Sequence, residues 1–369
     1  MKILIVSRPF VFHGGVETAT AGFVTALAAH GHDVHLLSLP GQSAMRGVTL
    51  HTVPLPRLPR TARLLALPLL ARRVMCAGGW DVVQSHERTL GQDVYRAGEG
   101  CHRAYLETVA AGDRPRRGYH RMLLALERRL FRTTPQVVAI SRHGAQEIAA
   151  LYAVPPARLS VIYNGVDLVR FHPDNRARHR AAARAEAGLA ADAFTIVFAG
   201  SGFERKGLAT AIQALAALGD RQSRLLVLGK GDRGPWADLA RRLEVADRVV
   251  WLGPRPDIDR WYAAADVVAL PTRYEPFGNV HLEALASGIP VVTTTRAGGA
   301  EAITPWSGAV VEPDDPRALA ASLEWIRSVD PVRLAAAARS AAEPFTWERQ
   351  VTDFEQIYRK LPAGRGGFP

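Results

Sequence analysis

The residues whose types and spacing suit chemistry fall in two short runs of the second half of the chain. Gly200-Ser201-Gly202-Phe203-Glu204-Arg205-Lys206-Gly207 follows an apolar segment and opens a helix-like one. Glycines such as Gly202 let backbone approach a ligand, and adjacent Arg205 and Lys206 can neutralise a diphosphate. Lys206 is one of only four lysines in an arginine-dominated chain, which singles it out from the general basic surface. The spacing is not that of a Walker A loop. A purely surface role for the two cations is the competing reading. The second run, Glu275-Pro276-Phe277-Gly278-Asn279-Val280-His281-Leu282-Glu283, sets two glutamates with seven residues between them. Glu275 falls in the loop after a strand, where a carboxylate can accept sugar hydroxyls. Glu283 falls inside the following helix, where it can orient a ribose, and the amides of Asn279 and Val280 can meet a hexose or phosphate. A solvated charge is the bland reading of Glu283, but its neighbours Leu282 and Ala284-Leu285-Ala286 fit that poorly.

The first half offers weaker signals. Gly14-Gly15 stands between the first strand and a helix, where helix N–H groups face an anion; a tight turn without ligand reads equally well. It is not a GxGxxG dinucleotide fingerprint. His86-Glu87 follows an apolar strand, so His86 can donate to a hydroxyl or phosphate, with a local loop contact as the alternative. Asp93 and Glu99 flank Val94-Tyr95-Arg96-Ala97-Gly98 and are candidates for acceptor contact. No histidine or cysteine spacing suits a metal, and no D-x-D follows a strand; Asp257-Ile258-Asp259 reads as a helix start. The expectation is no required metal.

Positioning these residues takes a repeated grammar of short apolar strands alternating with helices. Strands are expected over 2–7, 34–39, 82–84 and 137–140, with helices over 17–30 and from 145. After a polar, arginine-rich stretch at 174–184 the pattern restarts. It gives strands over 195–199, 225–228, 249–252, 267–270 and 290–293, with helices over 208–218, 236–243, 258–264 and 280–286. Such alternation argues for parallel sheets covered on both faces. Two domains follow, 1–170 and 171–345. A terminal segment, 346–369, carries Trp347, Val351, Phe354 and Tyr358 on one helical face and is expected to cross back to the N-terminal domain.

The 369 residues suffice for two such cores, and 48% hydrophobic with 22% charged residues excludes a disordered chain. Two cysteines, Cys76 and Cys101, cannot build a disulfide framework or a zinc knuckle, which fits a reducing compartment. The first residues read as a strand and not as a signal peptide, and no apolar run reaches membrane-spanning length. A net charge of +11 predicts attraction to something anionic. No zinc finger, RNA-binding aromatic signature or recognition helix accompanies that charge, so nucleic acid is set aside. Two stretches concentrate it: five arginines with no acid from Arg57 to Arg73, and eight arginines against three acids from Arg103 to Arg132. The later part of the second has the period of a basic amphipathic helix, read either as a helix packed on the sheet or as a surface facing an anionic membrane.

Taken together, Gly14-Gly15, Tyr163-Asn164-Gly165-Val166-Asp167, the 200–207 run, the 275–283 run and Ala284-Leu285-Ala286-Ser287-Gly288-Ile289-Pro290-Val291-Val292 resemble the retaining glycosyltransferases of family 4. The resemblance covers nearly the whole chain. It implies the GT-B architecture: two doubly wound Rossmann-like domains facing a central cleft, the first for the acceptor and the second for a nucleotide diphosphate sugar. That donor is a substrate, and no cofactor is implied. Arg205 and Lys206 then match the diphosphate ligands, Glu283 the ribose ligand and Glu275 the group facing the transferred sugar. Gly15 matches a first-domain glycine near the diphosphate.

Within the family, Gly91-Gln92-Asp93-Val94-Tyr95-Arg96-Ala97-Gly98-Glu99-Gly100-Cys101 extends the likeness to the lipopolysaccharide core glucosyltransferase I group. Glu99 stands where that group has aspartate, and His86-Glu87 is foreign to it. The likeness implies transfer of glucose from UDP-glucose to a lipopolysaccharide-core, glycolipid or polysaccharide acceptor. It also implies a cytoplasmic protein peripheral to the inner face of the bacterial inner membrane. A nucleotide-sugar epimerase of the same shape, and a noncatalytic nucleotide-sugar or anionic-lipid binding protein, are the competing functions.

Overall fold

The structure, a computed structural model, describes residues 1–10, 15–54, 60–77, 79–109 and 117–362. Gly14, Arg57, Arg114 and Arg116 lie outside the described residues. The chain divides into two compact units, Met1–Gly165 with Trp347–Pro369, and Val166–Thr346.

The first unit is a seven-stranded parallel sheet. Its strands are β1 (Lys2–Val6), β2 (Asp33–Ser38), β3 (Val48–Thr52), β4 (Val82–Ser85), β5 (Val94–Arg96), β6 (Gln136–Ala139) and β7 (Leu159–Val161). They lie in the order β3-β2-β1-β4-β5-β6-β7. The order reverses between β1 and β4, so the ends of those two strands flank a crevice of the kind that receives ligands in open parallel sheets. The period of two is visible along β1: Ile3 and Ile5 join a core with Phe23, Val24 and Leu27 of the helix Gly15–Ala29. Leu4 and Val6 face the other way, onto Ala71 and Met75 of the helix Arg60–Ala77.

The second unit repeats the plan with β8 (Thr195–Ala199), β9 (Arg224–Leu228), β10 (Val249–Gly253), β11 (Val267–Leu270), β12 (Val291–Thr294) and β13 (Gly308–Val311). Their order is β10-β9-β8-β11-β12-β13, all parallel, and the reversal lies between β8 and β11.

Several elements escape the sequence pattern for physical reasons. β3 lies at the sheet edge and is only half-buried, while β5 and β7 have three residues each, too few to show a period. The helix Arg60–Ala77 carries Pro68 inside it, where the sequence reads an interruption. The arginine-rich stretch read as a polar boundary is the helix Asn175–Glu186. Arg176, Arg180 and Arg184 repeat every fourth residue, so they share one face. From it Arg176 and Arg180 bond the Asp266 carboxylate at 3.1 and 2.7 Å, and all three reach carbonyls among Ala263, Ala264 and Ala265. A basic stripe thereby caps the helix Ile258–Ala264 at its negative end.

The helix Trp347–Tyr358 belongs to the first unit. Val351, Phe354, Ile357 and Tyr358 are buried against Phe23, Val24 and Leu27, and the Tyr358 hydroxyl donates to Gln84 Oε1 at 2.6 Å. Trp347 is admitted by two glycines: a Cβ on Gly22 or on Gly165 would lie 2.5 Å from the indole. Alanine raises helix propensity by about 1 kcal/mol over glycine, so a loss at Gly22 isolates the steric contribution. Gly22→Ala should lower stability by about 1–3 kcal/mol as the ring is displaced. Scanning calorimetry checks this, and Trp347→Leu combined with Gly22→Ala should recover part of the loss.

Candidate active site

At the β8–β11 reversal the two sequence-singled runs come together. β8 ends at Ala199, and the loop 200–207 turns back through Gly200, Gly202 and Gly207, all with positive φ. At Gly207 the glycine is obligatory, because a Cβ there would sit 1.9 Å from the Pro271 carbonyl just beyond β11. That approach lets Arg273 N donate to Arg205 O at 2.9 Å and Thr272 Oγ1 to the same oxygen at 3.0 Å, fastening one loop to the other. Lys206 runs across the bare face of Gly200, where a Cβ would meet its side chain at 2.5 Å.

The result is an ion triad. Arg205 Nη1 and Lys206 Nζ each lie 2.9 Å from Glu275 Oε2, and Arg205 also donates to Tyr274 O at 2.7 Å. Side-chain exposures of 27, 9 and 13% for Arg205, Lys206 and Glu275 show the triad to be largely shielded and not on open surface. Burial alone would raise the Glu275 carboxyl, but Lys206 and Arg205 outweigh it and hold it at about 2. Two cations against one carboxylate leave a net positive charge ready for an anion.

Glu275 is held by its own backbone. Its N–H donates to Arg296 O at 3.1 Å, and its carbonyl accepts from Gly298 N at 2.9 Å. Gly278 then turns the chain with φ +85° into the helix Asn279–Ala286, putting Asn279 and Val280 in its first turn. Glu283 lies one turn deeper and is buried. Tyr262 donates to its Oε2 at 3.0 Å, and burial pushes its carboxyl up despite that bond. Gly202 is exposed at the loop tip.

In the first unit Gly15 is the first residue of the helix Gly15–Ala29. The other candidates separate. His86 follows β4 but is 4% exposed, with Nδ1 3.2 Å from Thr20 Oγ1 and Nε2 2.8 Å from the Gln84 amide. Both ring nitrogens are occupied, and burial lowers its pKa well below the usual value. The ring thus meets Thr20 and Gln84, the local contact that stood as the alternative to a donor to substrate. The reading of Asp93 is corrected. It precedes β5, at the amino end of the sheet, and its carboxylate accepts from Val83 N at 2.7 Å. Ligands gather at the opposite end of parallel strands. Glu99 stands at the carboxyl end, where Arg8 Nη2 donates to it at 2.5 Å and Arg88 Nη1 also bonds it.

Sequence reasoning missed Arg8 and Arg88, which link Glu87, Glu99 and the buried Glu127. Their positions just past β1 and β4, on either side of the strand reversal, were the available signal. Among the described residues no group of three or more His, Cys, Asp or Glu is arranged to hold a metal ion. No described helix is long and apolar enough to cross a membrane.

Two doubly wound units, with a cation pair and a glutamate at the strand reversal of the second, define a GT-B glycosyltransferase. The family profile described as Glycosyltransferase Family 4 matches residues 13–170, and that described as Glycosyl transferases group 1 matches 193–328. The chain is 33% identical over 302 residues to the D-inositol 3-phosphate glycosyltransferase of Mycolicibacterium vanbaalenii, covering 74% of this chain and 65% of that one. It is 32% identical to the protein of the same name from Jonesia denitrificans, covering 77% and 72%. The chain belongs to glycosyltransferase family 4, the group 1 transferases, and is an enzyme of the nucleotide-sugar-dependent class.

Among solved structures, WaaG, a glycosyltransferase involved in lipopolysaccharide biosynthesis, superposes with a TM-score of 0.82 at 24% identity over 97% of this chain and all of that one. Anabaena HepE in complex with UDP-glucose gives 0.73 at 20% identity over 98% and 100%. At those identities the likeness is one of fold. The relatives above 30% identity carry the inositol phosphate name, and this overturns the lipopolysaccharide-core acceptor read from the 91–101 segment.

Glu275 gives a pH prediction with a definite sign. Its folded pKa of about 2 lies below the ordinary 4.5, so the stability it contributes is present above 4.5 and lost as pH falls toward 2. The stability gap between wild type and Glu275→Gln, measured by urea unfolding at a series of pH values, should therefore be constant above about pH 4.5 and shrink as pH falls toward 2. Between pH 5 and 8, roughly, the kcat/KM profile should keep its shape in that variant while its height falls.

Proposed function

We propose that this chain transfers a glycosyl group from a UDP-sugar to a hydroxyl of a polyol phosphate, with retention at the anomeric carbon and without a metal. One observation carries the proposal: Arg205 and Lys206 meet on Glu275 at the strand reversal of the second unit, with positive charge in excess. Charge grows on the departing diphosphate in the transition state, and preset cations in a partly dry site stabilise that charge without having to reorganise. A diphosphate entering beside them takes over part of the bonding now made by Glu275. The carboxylate is then free to accept a sugar hydroxyl. Glu283, one turn into the helix Asn279–Ala286, is assigned the ribose, and the Asn279–Val280 amides at its amino end the sugar or phosphate. Gly15 opens the helix of the first unit at the corresponding reversal, where helix N–H groups favour an anion. Glu99, held by Arg8 and Arg88, is assigned the acceptor side.

The polyol phosphate rests on the printed names of the relatives at 32–33% identity. The UDP-sugar rests on family membership, with the HepE complex of the same fold as support. A peripheral membrane position draws support only from charge. In the helix Arg117–Thr133, Leu123, Leu126, Leu130 and Phe131 are buried, while Arg121, Arg128, Arg129 and Arg132 are exposed. Its apolar face is already used in packing, so attraction to an anionic bilayer would be electrostatic and removed by salt.

Lys206→Ala should cut transfer by roughly 100- to 1,000-fold with little change in unfolding temperature. The test is transfer from UDP-sugars to D-inositol 3-phosphate and to unphosphorylated inositol, with the anomer of the product assigned by NMR. Turnover near wild type in the variant would remove the catalytic assignment. Equal use of both acceptors would remove the phosphate.

A further inference from the structure

His281 lies two residues past the start of the helix Asn279–Ala286, and its side chain is 0% exposed. The buried neighbours on that helix include Leu282, Ala284, Leu285 and Ala286, and an apolar side chain would fill such a place without desolvating two ring nitrogens. The ring instead makes two directed bonds. Nδ1 lies 2.6 Å from the carbonyl oxygen of Gly278, and Nε2 lies 2.8 Å from Thr293 Oγ1. A carbonyl can only accept, so Nδ1 carries the proton and Nε2 is bare toward the hydroxyl. Burial lowers the pKa to about 4, which keeps this neutral form throughout the working range. Thr293 sits in β12 with Oγ1 also 3.0 Å from Leu270 O, the last residue of β11, so its single hydroxyl proton is shared between that carbonyl and the bare Nε2, and the ring is referenced to the sheet.

The surroundings are cut to fit the ring. A Cβ on Gly278 would stand 2.7 Å from His281 Nδ1, and one on Gly299 would stand 2.6 Å from the same atom. Gly299 N in turn donates to Phe277 O at 2.8 Å. The Glu275 side chain is part of the same contact, its Cγ lying 2.9 Å from the Cβ position of Gly278. In a planar trans peptide the C=O and N–H point in opposite directions. Pinning the Gly278 carbonyl toward the ring therefore turns the Asn279 N–H away from it.

We propose that His281 is a positioning residue for the transferred sugar, its Nδ1–H fixing the Gly278–Asn279 peptide and, through Gly278, the carboxylate of Glu275. This rests on the donor reading above and adds to it a residue that never touches the ligand. An ordinary core residue would affect folding and all ligands alike. A positioning residue for the sugar separates UDP from UDP-sugar, and it separates one ring nitrogen from the other.

The experiment compares His281→Asn, whose amide nitrogen can replace Nδ1, with His281→Gln, whose amide reaches toward the Nε2 position and leaves the Gly278 carbonyl only the backbone N–H of residue 281, at 3.0 Å. Binding of UDP and of UDP-glucose is measured by calorimetry, and kcat and KM for the donor follow from the transfer assay. UDP affinity should stay within about two-fold in both variants, while UDP-glucose affinity and kcat/KM fall about ten-fold or more in His281→Gln and recover in His281→Asn. Thr293→Val removes the anchor at the other nitrogen and should give the same pattern at about three-fold, which keeps the test open if His281→Gln does not fold. Variants that lose UDP and UDP-glucose binding in parallel, or an asparagine variant no better than the glutamine one, would overturn the inference while the donor reading stands. A wild-type protein that binds neither nucleotide overturns the donor reading and this inference with it.

Discussion

Two cations brought to one carboxylate oxygen repel each other, and the second unit is organised around tolerating that repulsion. Arg205 and Lys206 are adjacent in sequence, and only Glu275, 69 residues or more away, makes their shared direction acceptable. Burial penalises all three charges, so the arrangement survives because the bonds are short and the carboxylate stays ionised. The backbone does the remaining work. Gly207 brings its loop against Pro271, the Arg205 carbonyl takes two bonds from the neighbouring loop, and Glu275 is tied at both its N–H and its C=O. The two cations are thereby held aligned in advance, with one carboxylate between them.

Much of this was legible because two signals coincided. The apolar runs of β8 and β11 are buried on both faces and therefore read as strands without alternation. The residues following them carry the unusual chemistry, so placing the strands placed the candidates. That Arg205 and Lys206 share one carboxylate was not legible, since no local rule links residues so far apart. His86 and Asp93 mark the other limit. A residue after a strand can point into the core as readily as into the crevice, and the Thr20 and Gln84 partners of His86 come from tertiary packing. Asp93 was misplaced because β5, at three residues, left no trace of where the strand began. The end of the sheet on which Asp93 sits could not be assigned.

The acceptor was the least legible part, and the reason is physical. A diphosphate calls for clustered positive charge, a pattern that can be read in a sequence. A sugar or polyol hydroxyl can be satisfied by any of many polar side chains, so it leaves no fixed residue type to read. In the first unit the groups at the β1–β4 reversal are Arg8, Glu87, Arg88 and Glu99, mutually paired and spread over 92 residues of sequence. The 91–101 segment contributes Glu99 and the Gly100 carbonyl to that cluster, while most of the segment builds the sheet.

The seating of Trp347 between Gly22 and Gly165 has a consequence for biosynthesis. The apolar face of Phe23, Val24 and Leu27 finds its cover in Val351, Phe354 and Ile357, which leave the ribosome after the whole of 166–346. The opening half of the chain thus emerges first and is completed last, while the middle can mature on its own. Throughout elongation a sticky patch near the amino terminus waits for its lid, a window in which a nascent chain attracts chaperones or its neighbours.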